Sequence, residues 1–410
     1  MTKSVKAMPS DLRVENRKSV LRTFENTEYR AIADINEITK ISRQTIDKII
    51  KYYIDKGVLI ELKKGSSSEV GGKPPKLFSL STAKRFLLIF IHHHEIQLRV
   101  TDLFYHETAV WKSPSQRITN MDYMWEQIET GIGEIVEDRA CITGICMSVP
   151  LGTDVDDRLT VATPFPYWPA SDYGRSLREP LEKIFPDCRN MYVLADGRVA
   201  GSGFMKEHQE VGKDDLLVSI YASSGIGGAI FENGVLKLGH NHLDGIIGHM
   251  IVDSHFSESC ACGESGCLEQ IVNRDRLHTR LELYRTDYES SALSGIPAHT
   301  VTFQDLFAAS ENGDPFCRKE SAYYADMFAI ALHNIQVCID PTVIVFQGDF
   351  RFADSVFKNE LINKLKVFIY TPKEFRVRII YDDKDLDIRE RIGGTYLLLS
   401  SYLNNPDKYI

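Results

Sequence analysis

No stretch of the chain approaches the roughly 18 consecutive apolar residues that a membrane-spanning helix requires; Arg85-Phe-Leu-Leu-Ile-Phe-Ile91 is about strand length. The first residues, Met1 to Arg13, lack the apolar core of a secretory signal. There is no internal repeat and no long low-complexity tract, which excludes a repeat array. Together these absences lead to the expectation of a cytoplasmic protein without membrane contact. A disulfide framework is not expected either, although the chain holds 8 cysteines. Three of them crowd together as Cys260, Cys262 and Cys267, and in a reducing compartment such crowding points to a metal. What remains is an ordinary globular composition, 43% hydrophobic and 26% charged, over 410 residues. That length predicts two or three domains with sizeable cores.

Charge is unevenly spread. The net charge is −9, yet residues 1–80 hold 16 Lys and Arg against 10 Asp and Glu, or +6, leaving −15 for the remainder. A basic segment ahead of an acidic body suggests that the segment alone meets a polyanion.

Patterning within that segment predicts three helices and a wing. Asn16–Phe24 places Val20, Leu21 and Phe24 at helical spacing, and Ala31–Ile38 does the same with Ile32, Ile35 and Ile38. After a short turn, Ser42 is a good N-cap for a third helix. There Ile46, Ile49, Ile50 and Tyr53 make one apolar stripe and Arg43, Gln44, Lys48 and Lys51 the opposite face. Gly57 would end this helix. Lys40 stands at a turn position that prefers glycine, at a cost of about 1 kcal/mol. Two strands, Val58–Leu62 and Leu77–Leu80, flank a basic stretch, Lys63 to Lys76. The whole reads as a winged helix-turn-helix over residues 1–80 whose third helix enters a DNA major groove. Candidate DNA-binding residues are Ser42, Arg43, Gln44, Thr45 and Lys48, with arginine and glutamine suited to guanine and adenine edges and lysines to phosphates.

The strongest chemical signal is Gly248-His249 followed by Cys260-Ala-Cys262-Gly-Glu-Ser-Gly-Cys267-Leu-Glu269. One histidine and three cysteines supply the four ligands of a closed tetrahedral zinc site at His249, Cys260, Cys262 and Cys267. Four protein ligands leave no open position, so the zinc is expected to be structural. The other cysteines, Cys141, Cys146, Cys188, Cys317 and Cys338, are expected to pack in cores.

These motifs together resemble the ROK family of repressors and sugar kinases, and more narrowly its branch of N-acetylglucosamine and xylose repressors. The resemblance extends to Val218-Ser-Ile-Tyr-Ala-Ser-Ser-Gly-Ile-Gly-Gly-Ala-Ile230, which looks like the family's second phosphate loop, and to Gly71-Gly-Lys-Pro-Pro75, which looks like its basic wing. It implies an α/β fold, an actin-like ATPase (ribonuclease H-like) body of two lobes around a cleft behind the winged helix. The first lobe would span residues 81–195, completed by a C-terminal helix of about 388–410, and the second 196–387. Short strands at Leu87–Ile91, Ile96–Asp102, Leu216–Ala222 and Gly228–Phe231 fit that body. The wing would place Lys73 near an A·T-rich minor groove. Ligand-binding residues implied by the family pattern are Asp196, His249 and Glu269.

Departures from the pattern bear on function. Where ROK kinases carry Asp-x-Gly-Gly-Thr against the ATP phosphates, this chain reads Phe90-Ile-His-His-His-Glu95, which cannot make that cradle. The three histidines are expected to be solvated rather than metal-binding. The family's Asn-Asp pair reads Ala195-Asp196, and its Glu-x-Gly-His reads Ile246-Ile-Gly-His249. The asparagine ahead of a tryptophan is not evident in Pro164-Phe-Pro-Tyr-Trp168. The resemblance therefore implies a transcription regulator, a repressor of carbohydrate metabolism, that binds a double-stranded DNA operator. It would answer to a sugar-like effector, have no kinase activity and form a homodimer or homotetramer. Two alternatives stand beside it: an ATP-dependent sugar kinase, and a regulator with a vestigial pocket governed by a protein partner.

Overall fold

The computed structural model describes residues 9–62, 75–150, 152–160, 168–212, 215–366, 377–405 and 408–409. Its N-terminal part comprises α1 (Pro9–Arg22), β1 (Arg30–Ala31), α2 (Ile32–Thr39), α3 (Arg43–Asp55), β2 (Leu59–Glu61) and β3 (Leu77–Leu80). The strands form an antiparallel sheet in the order β1-β3-β2, so the wing has a third, very short strand that its sequence does not announce. Ser42 caps α3, its hydroxyl accepting the Thr45 amide at 3.3 Å. Lys40 adopts φ +60°, and its amide closes α2 on the Asn36 carbonyl at 2.9 Å.

Val20, Leu21, Phe24, Ile35, Ile46, Ile49, Ile50 and Tyr53 are all buried, as their spacing requires. Two expectations need correction. The first helix begins at Pro9 and stops at Arg22, because the Thr23 amide and hydroxyl both turn back to the Val20 carbonyl. Ile38 is 54% exposed; steps of three residues drift about 60° off a 3.6-residue turn, and two such steps from Ile32 leave the buried stripe.

Two five-stranded sheets follow. The first contains β4 (Arg85–Ile91), β5 (Ile96–Thr101), β6 (Glu107–Lys112), β7 (Ile142–Val149) and β8 (Met191–Ala195), with α4 (Met121–Ile135) and α5 (Arg178–Ile184) in its connections. Its order is β6-β5-β4-β7-β8, antiparallel from β6 to β4 and parallel from β4 to β8. Next come α6 (Asp196–Glu207), α7 (Gln209–Gly212), β9 (Leu216–Ala222), β10 (Ile226–Glu232), β11 (Val235–Lys237), α8 (Leu268–Ile271), α9 (Arg274–Leu283) and α10 (Arg285–Glu289). After them run α11 (Phe303–Glu311), α12 (Pro315–Ile339), β12 (Val343–Gly348), α13 (Ser355–Leu365), β13 (Arg378–Tyr381) and α14 (Leu386–Asn404). The second sheet, β11-β10-β9-β12-β13, repeats the antiparallel-then-parallel plan of the first. β4, buried on both faces, carries a near-continuous apolar run for that reason, whereas the equally buried β5 alternates apolar residues with Gln97, Arg99 and Thr101.

The long α14 returns to the first sheet. The Asn190 side chain donates to the Leu398 carbonyl at 2.9 Å. Where α14 crosses α6, a Cβ on Gly393 would lie 1.9 Å from the Val199 carbonyl oxygen, so only glycine permits the approach. The same helix carries the N-terminal module: Arg22 bonds Asn404, and Asn26 bonds Lys206 at the end of α6. Val20, Phe24 and Tyr53 belong to one apolar cluster with Phe86, Leu88, Leu399 and Tyr402. The winged helix is thus packed on the body through apolar contacts as well as polar ones.

Of the five cysteines outside the crowded group, Cys146, Cys188 and Cys317 are buried, but Cys141 is half-buried and Cys338, on α12, is exposed. Among the described residues no helix is long and apolar enough to cross a membrane.

Candidate functional site

Three places carry the chemistry. On α3, Arg43, Gln44, Lys48 and Lys51 are exposed on the side opposite the buried stripe. Ser42 and Thr45 are occupied with each other, their hydroxyls 2.9 Å apart in the cap. Their first duty is therefore to start the helix; the free donors of this face are the arginine, glutamine and lysines. Lys73 and the neighbouring Gly71-Gly-Lys-Pro stretch lie outside the described residues.

The second place is the cysteine loop. His249 ends a short 3-10 turn, Ile247–His249, and Cys267 immediately precedes α8. Between them the chain doubles back: Cys260 donates its amide to the Glu264 carbonyl at 2.7 Å, and Gly263 donates to the Cys260 carbonyl at 2.9 Å. Gly266, at φ +79°, passes so close to Asp253 that a Cβ would sit 1.9 Å from its carbonyl oxygen. The ligand atoms of His249, Cys260, Cys262 and Cys267 all lie within 4.8 Å of one another. Cys262 and Cys267 sulfurs are 3.6 Å apart, and Cys260 Sγ is 3.5 Å from His249 Nδ1.

A zinc tetrahedron with the usual bond lengths has edges of about 3.8 Å between sulfurs and about 3.6 Å between sulfur and nitrogen. These two spacings match those edges, and the other ligand pairs lie within 4.8 Å. Three thiols this close disfavour each other's ionisation unless a cation lies among them, and a divalent cation supplies that charge. The residues therefore fit a divalent metal ion such as zinc.

The third place is the cleft between the two sheets, a cavity of about 190 Å³. A single water needs roughly 10–15 Å³ of such space, so it has room for a small molecule. Asp196, His249 and Glu269, far apart in the chain, all line it. Asp196 opens α6, where its Oδ1 accepts the Gly197 amide at 2.7 Å. Burial, and then the charge of Glu390, push its carboxyl up to about 7. Glu269 reaches from α8 to accept the Ile226 amide at 2.7 Å, and burial raises its carboxyl above the ordinary value. Ile246 and Ala195, the substituted positions, also border the cavity, giving apolar wall where a hydrogen-bonding ligand would otherwise meet an acid and an amide. Gly225 and Gly227 line the cavity too, but Ile226–Glu232 is a strand, and Ser223 and Gly225 form its turn, Ser223 donating to the Gly225 carbonyl at 2.9 Å.

The histidine run does not behave as expected. His94 is exposed, but His92 and His93 are half-buried. His92 Nε2 lies 3.0 Å from Glu390 Oε2, and Ser148 donates to the other carboxylate oxygen. Burial alone would lower the His92 pKa; the hydrogen bond and charge of Glu390 hold it above the ordinary value. His93, which lines the cavity, is lowered by burial and by its histidine neighbours. Glu390 is fully buried on α14, and nothing local in the sequence pairs it with a turn 298 positions earlier. Arg198 was missed as well: it is buried and donates to the carbonyls of His242 and Asp244 at 2.5 and 2.9 Å, pinning the loop that forms the cavity rim. Of the Pro164–Trp168 segment only Trp168 is described; it is buried, and its indole donates to the Ile118 carbonyl at 2.8 Å.

Comparison with known proteins agrees with this architecture. The chain is similar to a glucokinase from Halalkalibacterium halodurans, 26% identical over 209 residues, half of this chain and 62% of the relative. The match thus spans less than two thirds of that relative's length. It is also similar to the xylose repressor of Bacillus subtilis, 21% identical over 362 residues, 87% of this chain and 88% of the repressor. Among solved structures, a ROK family transcriptional regulator described as a homolog of the E. coli MLC protein superposes with a TM-score of 0.75. That superposition covers 96% of this chain and 98% of the other at 17% identity, a likeness of fold. A family profile described as ROK matches residues 111–400. With most of its length so matched, the chain belongs to the ROK family.

Proposed function

We propose that the protein is a DNA-binding transcription regulator, a repressor of carbohydrate metabolism, whose body reads a small sugar-like effector and transfers no phosphoryl group. The observation that carries this reading is the seating of the winged helix. Its exposed α3 face is basic, and the module is packed through α1 onto α14, the helix whose other end carries Glu390, bonded to His92 beside the cleft. An effector that prefers one arrangement of α14 over another would change how α3 is presented. Arg43 and Gln44 are cast as base readers, Lys48 as a phosphate contact, and Lys73 as a wing contact in the minor groove. Residues 1–80 form the DNA-binding domain, 81–195 with the C-terminal helix one lobe, and 196–387 the other. Zinc at His249, Cys260, Cys262 and Cys267 holds the loop that bears His249 to the cavity wall. The similarity to a xylose repressor over nearly the whole length supports the regulator over the enzyme.

A symmetric dimer would set two α3 helices on half-sites about one DNA turn apart. The test is selection of bound duplexes from a random library, followed by anisotropy titration of the winner with and without a panel of sugars. Sequence-selective binding relieved by one sugar supports the reading; absence of any selected sequence would sink it. A second reading, sugar phosphorylation, is favoured only by Asp196, whose carboxyl could accept a hydroxyl proton. ATP turnover with a hexose, abolished by Asp196→Asn, would establish it instead.

A further inference from the structure

The basic face of α3 is interrupted. Among Arg43, Gln44, Lys48 and Lys51 stands Asp47, an exposed carboxylate in the second turn of the helix. It follows Arg43 by four positions and precedes Lys51 by four, so the three lie on one ridge, each turned about 40° from the last. None of the ordinary duties of a helical acid falls to it. The N-cap is already made by Ser42, whose hydroxyl accepts the Thr45 amide, and the positive end of the helix dipole acts within the first turn only. Asp34 on α2, by contrast, accepts the Ala31 amide at 2.9 Å. Arg43 and Lys51 both stand at the spacing at which helical ion pairs form. Even so, among the described residues the Asp47 carboxylate has no hydrogen bond or ion pair.

An unpaired carboxylate is out of place on a surface that meets DNA. The duplex carries one negative charge per about 1.7 Å of its axis, and each phosphate repels the acid. Seated in the groove the carboxylate also loses water, a loss that only a hydrogen-bond donor makes good. The major groove offers two such donors, the N4 amino group of cytosine and the N6 amino group of adenine. Adenine sets the acceptor N7 beside its amino group. An amide matches that edge with one donor and one acceptor; a carboxylate, which only accepts, does not. Guanine O6 and N7 and thymine O4 are acceptors and repel it. Cytosine is the base that remains.

The ridge sets where that base lies. Four residues of helix rise about 6 Å and successive base pairs stand about 3.4 Å apart, so Asp47 falls one or two base pairs from the edge met by Arg43. We infer that Asp47 is a specificity residue of α3. Its carboxylate accepts the N4 amino group of a cytosine one or two base pairs from the base read by Arg43, and turns away guanine and thymine at that place. The inference rests on the DNA-reading function proposed above and adds one base of the operator to it.

The test uses the full-length, zinc-loaded protein with its Asp47→Ala and Asp47→Asn variants, which should unfold at the wild-type midpoint because the side chain is exposed and unpaired. Bound duplexes are selected from one random library for each of the three proteins. The wild type should select cytosine at one position beside the Arg43 base. Asp47→Ala should become indifferent there, and Asp47→Asn should shift to adenine, whose edge suits an amide. Anisotropy titrations then compare the wild-type duplex with a scrambled one. Asp47→Ala should lower the ratio of the two affinities about tenfold, the size of one base contact. It should also bind the scrambled duplex more tightly than the wild type does at low salt, a gain that fades as salt rises. An unchanged ratio overturns the inference, as does a loss of equal size on both duplexes. A wild type that selects no sequence takes the regulator down with it. A wild type that selects a sequence which both Asp47 variants also select, base for base, overturns the role of Asp47 alone.

Discussion

Asp196 offers a prediction whose size follows from its surroundings. Its carboxyl is raised from 3.8 to about 7, first by burial, then by Glu390 on α14, with Glu269 on α8 adding to the rise. The Gly197 amide and His92 pull the other way and lose. An acid whose folded pKa lies above its unfolded value favours the folded state only while protonated. Its contribution is fully present below about pH 4 and is lost as pH climbs through 7. At 1.36 kcal/mol per unit the full penalty at alkaline pH is at most about 4 kcal/mol; the side chain borders the open cleft cavity, so screening reduces it to about 2–4 kcal/mol. Asp196→Asn removes the charge while its amide oxygen can still accept the Gly197 N–H. The variant should thus be more stable than the wild type at pH 8 by about 2–4 kcal/mol, less so at pH 6, and by about 1 kcal/mol or less near pH 4.5. Urea unfolding midpoints of the two proteins at matched pH, followed by tryptophan fluorescence, measure this directly. An advantage that stays constant across the range, or a wild type that is the more stable at pH 8, would refute the electrostatic account of the cleft floor.

Four further outcomes are expected. Cys267→Ser should abolish stoichiometric zinc, measured by atomic emission after dialysis, and should destabilise the body; zinc in structural peptide sites is worth about 10–16 kcal/mol in apparent terms, so even partial loss is large. Unchanged metal content would refute the site. Arg43→Ala should weaken binding to the selected duplex by about 1–3 kcal/mol and relax preference at one base pair. Lys48→Ala should weaken binding to all sequences alike and make the salt slope shallower by about one unit; the reverse pattern would exchange their roles. Finally, Arg280 grips the fully buried Glu320 through two bonds of 2.6 and 2.9 Å. Arg280→Ala should cost about 3–5 kcal/mol by leaving a carboxylate buried and unpaired, and Arg280→Ala/Glu320→Leu should recover much of it. Equal stabilities of the single and double variants would contradict that reasoning.

Legibility in the sequence followed the range of the interaction. Ser42, the stripe Ile46–Tyr53, Lys40 in its left-handed turn and Gly57 at φ +68° are governed by neighbours within a few positions, and the chain spells them out. The cysteine cluster is nearly as local, 18 positions from His249 to Cys267, with glycines where the backbone must turn. Strand ends moved by one or two residues, as at Ile226–Glu232 where Gly228–Phe231 was expected, because pairing with β9 extends the ladder beyond the apolar run. Ile38 and Cys338 were misplaced because apolar character alone does not say which face of a helix has a partner.

What the sequence determined by itself was therefore whatever depends on period, capping and ligand spacing. That includes a basic winged helix ahead of an acidic body, a loop with one histidine and three cysteines at metal-ligand spacing, and the absence of a glycine turn at His92-His93-His94. Only the tertiary structure decided what replaced that turn. The approach of Glu390 to His92 depends on α14 returning to the first sheet and crossing α6 at Gly393, a contact between segments 298 positions apart. Burial there raises Asp196 and binds the cleft's donors to its own acids. No periodicity encodes that arrangement, because both the energy of a buried charge and the choice of its partner arise only once the surrounding elements have packed.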